Sequence, residues 1–382
     1  MLFKDVLVDE TLKSQLINLV KENRVSHAQL FLGGAGTHKF ALAVAFAQYL
    51  CCEHPSDTDS CGECPSCKKF AKLSHPDLHL IFPNCNTQEV KKDSESKLHI
   101  RAFTDFVMQN NYHLDYAKWL DILGGANKQL TINIRDCASI INQNSIRSYE
   151  GGYKIYILWR VDKLYYDAAP KLLKTLEEPE NKTLFILLAD SADTILQTIL
   201  SRTQLVKIPA MRPETISREL VANYGASQEA ADDIANISEG NFIKALELLN
   251  DNGEVHEMLT LFEFILTSAI ANKMGDRQKM QFPELRAKIE TVAKTDREKQ
   301  VMFFSYMTRM FRNLLMLNTN NAAIIKATAE ERAFAEFFKK YVTLRNITPI
   351  LDECNKAIFH LIRNGNSILI FTDFYLKLSA IL

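Results

Sequence analysis

Residues 33–40 read GGAGTHKF, a phosphate loop with two working parts replaced. The pattern G-x-x-x-x-G-K-[ST] wraps backbone N–H groups around a polyphosphate, reaches it with the lysine and holds Mg²⁺ through the hydroxyl. Gly33 opens the loop, Gly36 lies inside it and Lys39 is in register. His38 stands where the second glycine belongs, and Phe40 where the hydroxyl belongs. Phenylalanine has no oxygen to offer a metal, and histidine lacks the backbone freedom of glycine. The scaffold of a P-loop ATPase is therefore expected without its reaction. Lys39 remains as a bare charge that can meet a phosphate or sulfate, or as a surface lysine at a helix start.

The second chemical constellation is Cys52, Cys61, Cys64 and Cys67, spaced C-x8-C-x2-C-x2-C. Closely spaced thiolates fold around one tetrahedral Zn²⁺, and four sulfur ligands close the site to catalysis. Gly62 and Pro65 lie between ligands, where tight turns are needed. Cys51 adjoins Cys52 and is the alternative first ligand. Cys85, Cys137 and Cys354 read as packed or surface cysteines. Such crowding of thiols in a reducing compartment points to metal rather than disulfides.

Both constellations need positioning elements. Leu12, Leu16, Leu19 and Val20 form one stripe of a helix over 10–23. HAQLFLGG then reads as a buried strand entering a glycine turn, and FALAVAFAQYL as an apolar helix. That is the strand, loop, helix context a phosphate loop requires. Residues 83–130 are irregular, with Phe103, Tyr112, Tyr116 and Trp119 scattered through them, and read as a partly helical insertion forming a surface. A helix is expected from Ile132 to near Tyr149, a strand at 153–159, a helix from Ala168 to Leu176 and a strand at 183–189. Strands alternating with helices predict a parallel α/β sheet. Residues 213–250 read as a small helical unit broken near Ser238–Asn241, and 254–382 as helical throughout.

A chain of 382 residues, 47% hydrophobic and 24% charged, has room for two or three domains with a sizeable core. Its net charge of −1 argues against a molecule-wide electrostatic grip on nucleic acid. No apolar run reaches the roughly 18 residues of a membrane span. The amphipathic N-terminus lacks the pattern of a signal peptide, and a cytoplasmic protein is expected.

Taken in order, HAQLFLGGAG, the four-cysteine spacing, LLKTLEEP (172–179) and TILSRT (198–203) resemble the bacterial clamp-loader subunits of the AAA+ class. The resemblance covers residues 1 to about 250 well, and the rest only in general character. It implies an AAA+ P-loop-type domain over 1–208, with a zinc module near 51–68 and the insertion near 83–130. A helical lid over 209–250 and a helical oligomerisation collar over 254–382 would follow. The implied partners are gamma/tau and delta subunits in a hetero-oligomeric ring, the sliding clamp and, through the complex, primed DNA. No membrane partner is implied.

The family holds gamma/tau-type motors and delta-prime subunits that keep the fold without hydrolysis. Here Trp159-Arg160 follows the strand YKIYIL where a motor has Asp-Glu; Asp162 lies two places on. Ile243, beside Lys244, stands where a motor's lid helix carries arginine. Ser191 fits the polar sensor position. The resemblance thus implies a delta-prime-like DNA polymerase III subunit that does not hydrolyse ATP. Gly33, Gly36 and Lys39 would be vestigial, and Arg202 of Ser201-Arg202-Thr203 would be the retained arginine finger, acting in trans on a neighbour's phosphate. The bland alternative for Arg202 is a helix cap or surface ion pair. The rival readings are a divergent gamma/tau-type ATPase and a zinc-dependent DNA-binding module. His27 is expected to be a packed, hydrogen-bonded histidine and Glu177-Glu178 a structural or interfacial pair. Arg147, Arg309 and Arg312 are isolated candidates for DNA phosphates.

Overall fold

The fold is described from a computed structural model. It describes residues 1–124, 129–144, 146, 148–150, 152–250, 253–275, 282–319, 321, 325 and 327–382. The chain divides into two compact units. The first comprises Met1–Gly225 and Ser238–Leu246, and the second Ala226–Ile237 and Glu247–Leu382. The expected 209–250 segment therefore contributes to both.

The first unit is built on a five-stranded parallel sheet in the order β2-β3-β4-β1-β5. The strands are β1 (Ala28–Leu32), β2 (Leu78–Ile81), β3 (Lys154–Trp159), β4 (Thr183–Ala189) and β5 (Gln204–Lys207). β3 and β4 are buried at every residue, the unbroken apolar run that parallel strands covered on both faces require. Side chains alternate between the faces. Ile155, Ile157 and Trp159 face one core, while Tyr156 and Leu158 face the other.

The helices up to Leu249 are α1 (Glu10–Lys21), α2 (Lys39–Leu50), α3 (Pro65–Ala71), α4 (Ile100–Gln109), α5 (Tyr116–Ile122), α6 (Ile134–Asn144), α7 (Ala169–Glu177), α8 (Gln197–Leu200), α9 (Pro213–Tyr224), α10 (Gln228–Ile237), which belongs to the second unit, and α11 (Phe242–Leu249). α2 is buried around nearly its whole circumference, as its apolar sequence dictates. It fills the core on the Ile155 face, while α6 and α7 cover the Tyr156 face through Cys137, Ile140, Leu172 and Leu176. α6 ends at Asn144, short of the expected Tyr149. There the Lys154 ammonium donates to the Gln143 carbonyl at 2.6 Å and to that of Ile146, satisfying carbonyls a helix end exposes.

The described part of 83–130 is surface only in part. Phe103, Phe106 and Trp119 are buried in the same core as α2. Trp119 is the largest of them, and its indole N–H is satisfied by the Pro83 carbonyl at 2.8 Å.

The second unit is helical from Glu254 onward: α12 (Glu254–Met274), α13 (Phe282–Ala293), α14 (Arg297–Asn318), α15 (Ala329–Phe338), α16 (Ile347–Ile362) and α17 (Ser367–Ile381). The aromatic and methionine run of α14 is core: Phe303, Phe304, Met307, Met310 and Phe311 are buried. Arg309, a candidate for DNA, is instead held by both oxygens of the buried Glu331, at 2.6 and 3.1 Å. Glu331 also closes a capping box with Thr328. Arg312 is exposed, and Arg147 lies outside the described residues. Among the described residues no helix is long and apolar enough to cross a membrane.

Candidate functional site

A phosphate loop works where strands end, because backbone groups and loop side chains converge there. Three such ends meet here: Gly33 follows β1, Arg160 follows β3 and Asp190 follows β4. β1 pairs with β4, and β4 with β3, which brings the three together.

Lys39 is not exposed. Only 7% of its side chain is accessible, and its ammonium donates to Asp190 Oδ1 at 2.7 Å and to the Gly33 and Gly34 carbonyls at 3.0 Å each. The expected surface lysine is thus corrected: all three donors have internal partners. Burial pushes its pKa down, against the opposing pull of Asp190. Asp190 also receives Arg160 Nη1 at 3.0 Å, and Arg160 binds both oxygens of Asp162 at 2.7 and 2.9 Å. A motor places phosphate and metal in this region; this chain joins two cations to two carboxylates. The sequence gives no hint of Asp190, a lone acid that only the β1–β4 pairing brings to Lys39. Ser191, the expected sensor, donates to Asp193 Oδ2 at 3.1 Å.

His38, Phe40, Trp159 and Arg160 each meet the 83–130 segment. His38 Nδ1 accepts the Leu7 N–H at 2.9 Å, which leaves its Nε2–H to donate to the Asn111 carbonyl at 3.3 Å. Its ring stacks on His113 at 4.2 Å. Burial holds its pKa down to about 4, and that of His113 well below the ordinary value. Phe40 lies edge-on to Phe103 at 5.9 Å and beside Tyr112 at 6.3 Å. Trp159 packs against Phe103 at 5.6 Å, and the Arg160 guanidinium lies 4.8 Å above the Tyr116 ring.

Gly33 and Gly36 are also enclosed. Gly36 has φ of +72°, and a Cβ there would fall 1.8 Å from Asn241 Oδ1. At Gly33 it would meet the Ile208 carbonyl at 2.8 Å. Ile243, in the first turn of α11, is half-buried and brings no charge to the loop.

Arg202 differs. It follows α8, is 34% accessible, and donates through Nε to Glu177 Oε1 at 2.6 Å and through Nη1 to the Thr198 carbonyl at 3.0 Å. Within this chain it therefore both caps α8 and forms a surface ion pair, and Glu177 of LLKTLEEP is its partner. His27 is hydrogen-bonded as expected, its Nε2 2.9 Å from the Leu176 carbonyl, but it is exposed rather than packed.

The sulfurs of Cys52, Cys61, Cys64 and Cys67 lie within 4.8 Å of one another. A tetrahedral zinc with Zn–S bonds of about 2.3 Å separates its sulfurs by about 3.8 Å, and Cys61 and Cys67 are 3.9 Å apart. Backbone N–H groups of Cys61, Cys64 and Cys67 point at the sulfurs of Cys52, Cys61 and Cys64 in turn, as metal-binding thiolates require. N–H groups of Cys64 and Glu63 draw Cys61 down to about 6, whereas burial pushes Cys52 and Cys67 up. A cation is what would let all four ionise together. The donor set can thus hold a metal ion and fits zinc. Cys51 is turned away, its thiol donating to the Tyr153 carbonyl at 3.8 Å and pushed up to about 12 by burial.

Residues 8–212 match the family model described as DNA polymerase III, delta subunit. The chain is 27% identical over 234 residues to DNA polymerase III subunit delta' of Bacillus subtilis, covering 61% of this chain and 56% of that one. It is 26% identical over 276 residues to subunit tau/gamma of Haemophilus influenzae, covering 72% of this chain and 32% of that one. It spans little more than half the length of the first of these relatives. The solved structure of a gamma-subunit-related protein from Thermotoga maritima aligns over 96% of this chain and 99% of that one, at 16% identity and a TM-score of 0.40. The family match spans the phosphate loop, the cysteine cluster, Arg160, Asp190 and Arg202 and takes in more than half of the chain: the chain belongs to the DNA polymerase III delta-subunit family of clamp-loader proteins, with tau/gamma subunits among its relatives.

Proposed function

We propose that this chain is the delta-prime-type subunit of a replicative clamp loader, unable to hydrolyse ATP itself and supplying Arg202 to the ATP site of a neighbouring subunit. The observation that carries this reading is the contrast in charge. Lys39 is consumed by Asp190 and two carbonyls inside the fold, while Arg202 stays partly accessible, held by the exposed Glu177 carboxylate and the Thr198 carbonyl. Phosphoryl transfer depends on positioned charge and Mg²⁺. Phe40 offers no metal ligand, and Arg160 puts a cation where a motor's acid would help hold one. A planar guanidinium at an accessible edge suits a transferring phosphate. The reading includes a ring with tau/gamma and delta subunits, a sliding clamp as cargo, primed DNA met through the complex, and the lid and collar roles of 209–250 and 254–382.

The purified chain, assayed for ATP turnover and for binding of a fluorescent ATP analogue, tests it. No turnover is expected; turnover abolished by Lys39→Ala would make the chain a motor. We also propose that Cys52, Cys61, Cys64 and Cys67 hold one structural Zn²⁺. Metal analysis should find one zinc per chain, lost in Cys61→Ser and retained in Cys51→Ser; retention in the first would remove the assignment.

A further inference from the structure

The 83–130 segment meets both replaced positions of the phosphate loop and the two replaced positions at the end of β3. Phe40 faces Phe103 and Tyr112, Trp159 faces Phe103, Arg160 faces Tyr116, and His38 faces Asn111 and His113. Four replaced residues served by one segment form a single structural feature. We propose that residues 103–113 are a built-in lock, in which the His113 ring takes the place of a bound ligand in joining the phosphate loop to segment 238–246, so that this junction stays closed without nucleotide.

The bridge is direct. The His113 ring lies parallel to His38 within 9° at 4.2 Å, and 4.5 Å from Phe242. Its buried Nδ1 has no hydrogen-bond partner, so at that nitrogen the ring is not held by a polar contact. His38 is fixed in turn by the Leu7 N–H and the Asn111 carbonyl. Beyond His113, the Phe242 N–H donates to the Gly36 carbonyl at 3.3 Å, and Asn241 stands so close that Gly36 admits no side chain. A phosphate loop normally closes on a ligand that comes and goes. Here the closing group is covalently part of the chain, and no ligand concentration governs it. The inference rests on the closed loop and is independent of any role for Arg202.

Hydrogen–deuterium exchange on the full chain tests it, because amide exchange reports local opening. His113→Ala should speed exchange of peptides covering 238–246 by about tenfold while β3 and β4 stay protected. His113→Phe, which keeps an aromatic face, should stay within about twofold of the native chain, whereas His113→Leu, which keeps the bulk alone, should follow the alanine variant. If the alanine variant exchanges throughout and is simply unfolded, the leucine variant decides. Native protection of 238–246 in His113→Leu would overturn the proposal. So would slowing of exchange at 33–40 of the native chain by saturating magnesium-ATP, since the closing group would then be a ligand after all.

Discussion

The phosphate loop and the Arg202 edge lie on adjacent strands, β1 and β5, and treat their cations in opposite ways. Lys39 is 7% accessible and locked to Asp190, which Arg160 also binds. Arg202 is 34% accessible and paired with Glu177, itself 48% accessible. Lys39 opens the helix that follows β1, and Arg202 lies between α8 and β5. Burial separates them. A buried cation cannot leave its carboxylate without leaving charge unpaired in the fold, whereas an exposed one exchanges partners at little cost. Lys39 is paired inside the fold, and Arg202 is paired at its surface.

The largest test of this contrast is a pair of substitutions compared by urea unfolding. Lys39→Met should cost about 3 kcal/mol, the cost of breaking a buried pair. Arg202→Met should cost under about 1 kcal/mol, as for an exposed one. Equal costs would erase the distinction.

A similar effect is expected from pH. His38 titrates near 4 in the folded chain because burial disfavours its charge, with Lys13 and the His113 ring also near it. Unfolded, the ring titrates near its ordinary 6.5. Below 6.5 the unfolded chain binds the proton first, so the contribution of this ring is complete above pH 6.5 and is lost as pH falls towards 4. The shift corresponds to about 3 kcal/mol. Urea unfolding from pH 7 to pH 4 should show a shallower loss in His38→Gln than in the native chain. An identical slope would mean that the ring is not buried neutral.

The smallest effect concerns Glu177. Glu177→Gln should change stability by less than about 1 kcal/mol, with that difference vanishing in high salt. A larger, salt-insensitive loss would show Arg202 to be held as tightly as Lys39.

Much of the fold is legible in the sequence, for reasons that also mark where legibility stops. β3 and β4 are unbroken apolar runs, and the cysteine spacing is local, so both can be read directly. β2 and β5 escape such a reading: LHLI and QLVK are short and mixed in character, and become strands by pairing with β3 and β1. The 83–130 segment reads as a surface because Phe103, Tyr112, Tyr116 and Trp119 follow no helical or strand period. Phe103, Tyr112 and Tyr116 converge only in three dimensions, on Phe40, Trp159 and Arg160, with Trp119 packed against Phe103. The replaced loop residues are visible as losses; their new partners are not. Asp190 escapes for the same reason, and without it Lys39 looks like a surface residue.

The most direct test of the central claim is ATP turnover by a loader reconstituted with its own tau/gamma and delta subunits, using the native chain or Arg202→Ala. The account predicts no turnover by this chain alone. In the assembled loader it predicts a loss on the order of 10³-fold, confined to the site beside this subunit, when Arg202 is removed. Native turnover in the Arg202→Ala complex, or turnover by the isolated chain, would contradict it.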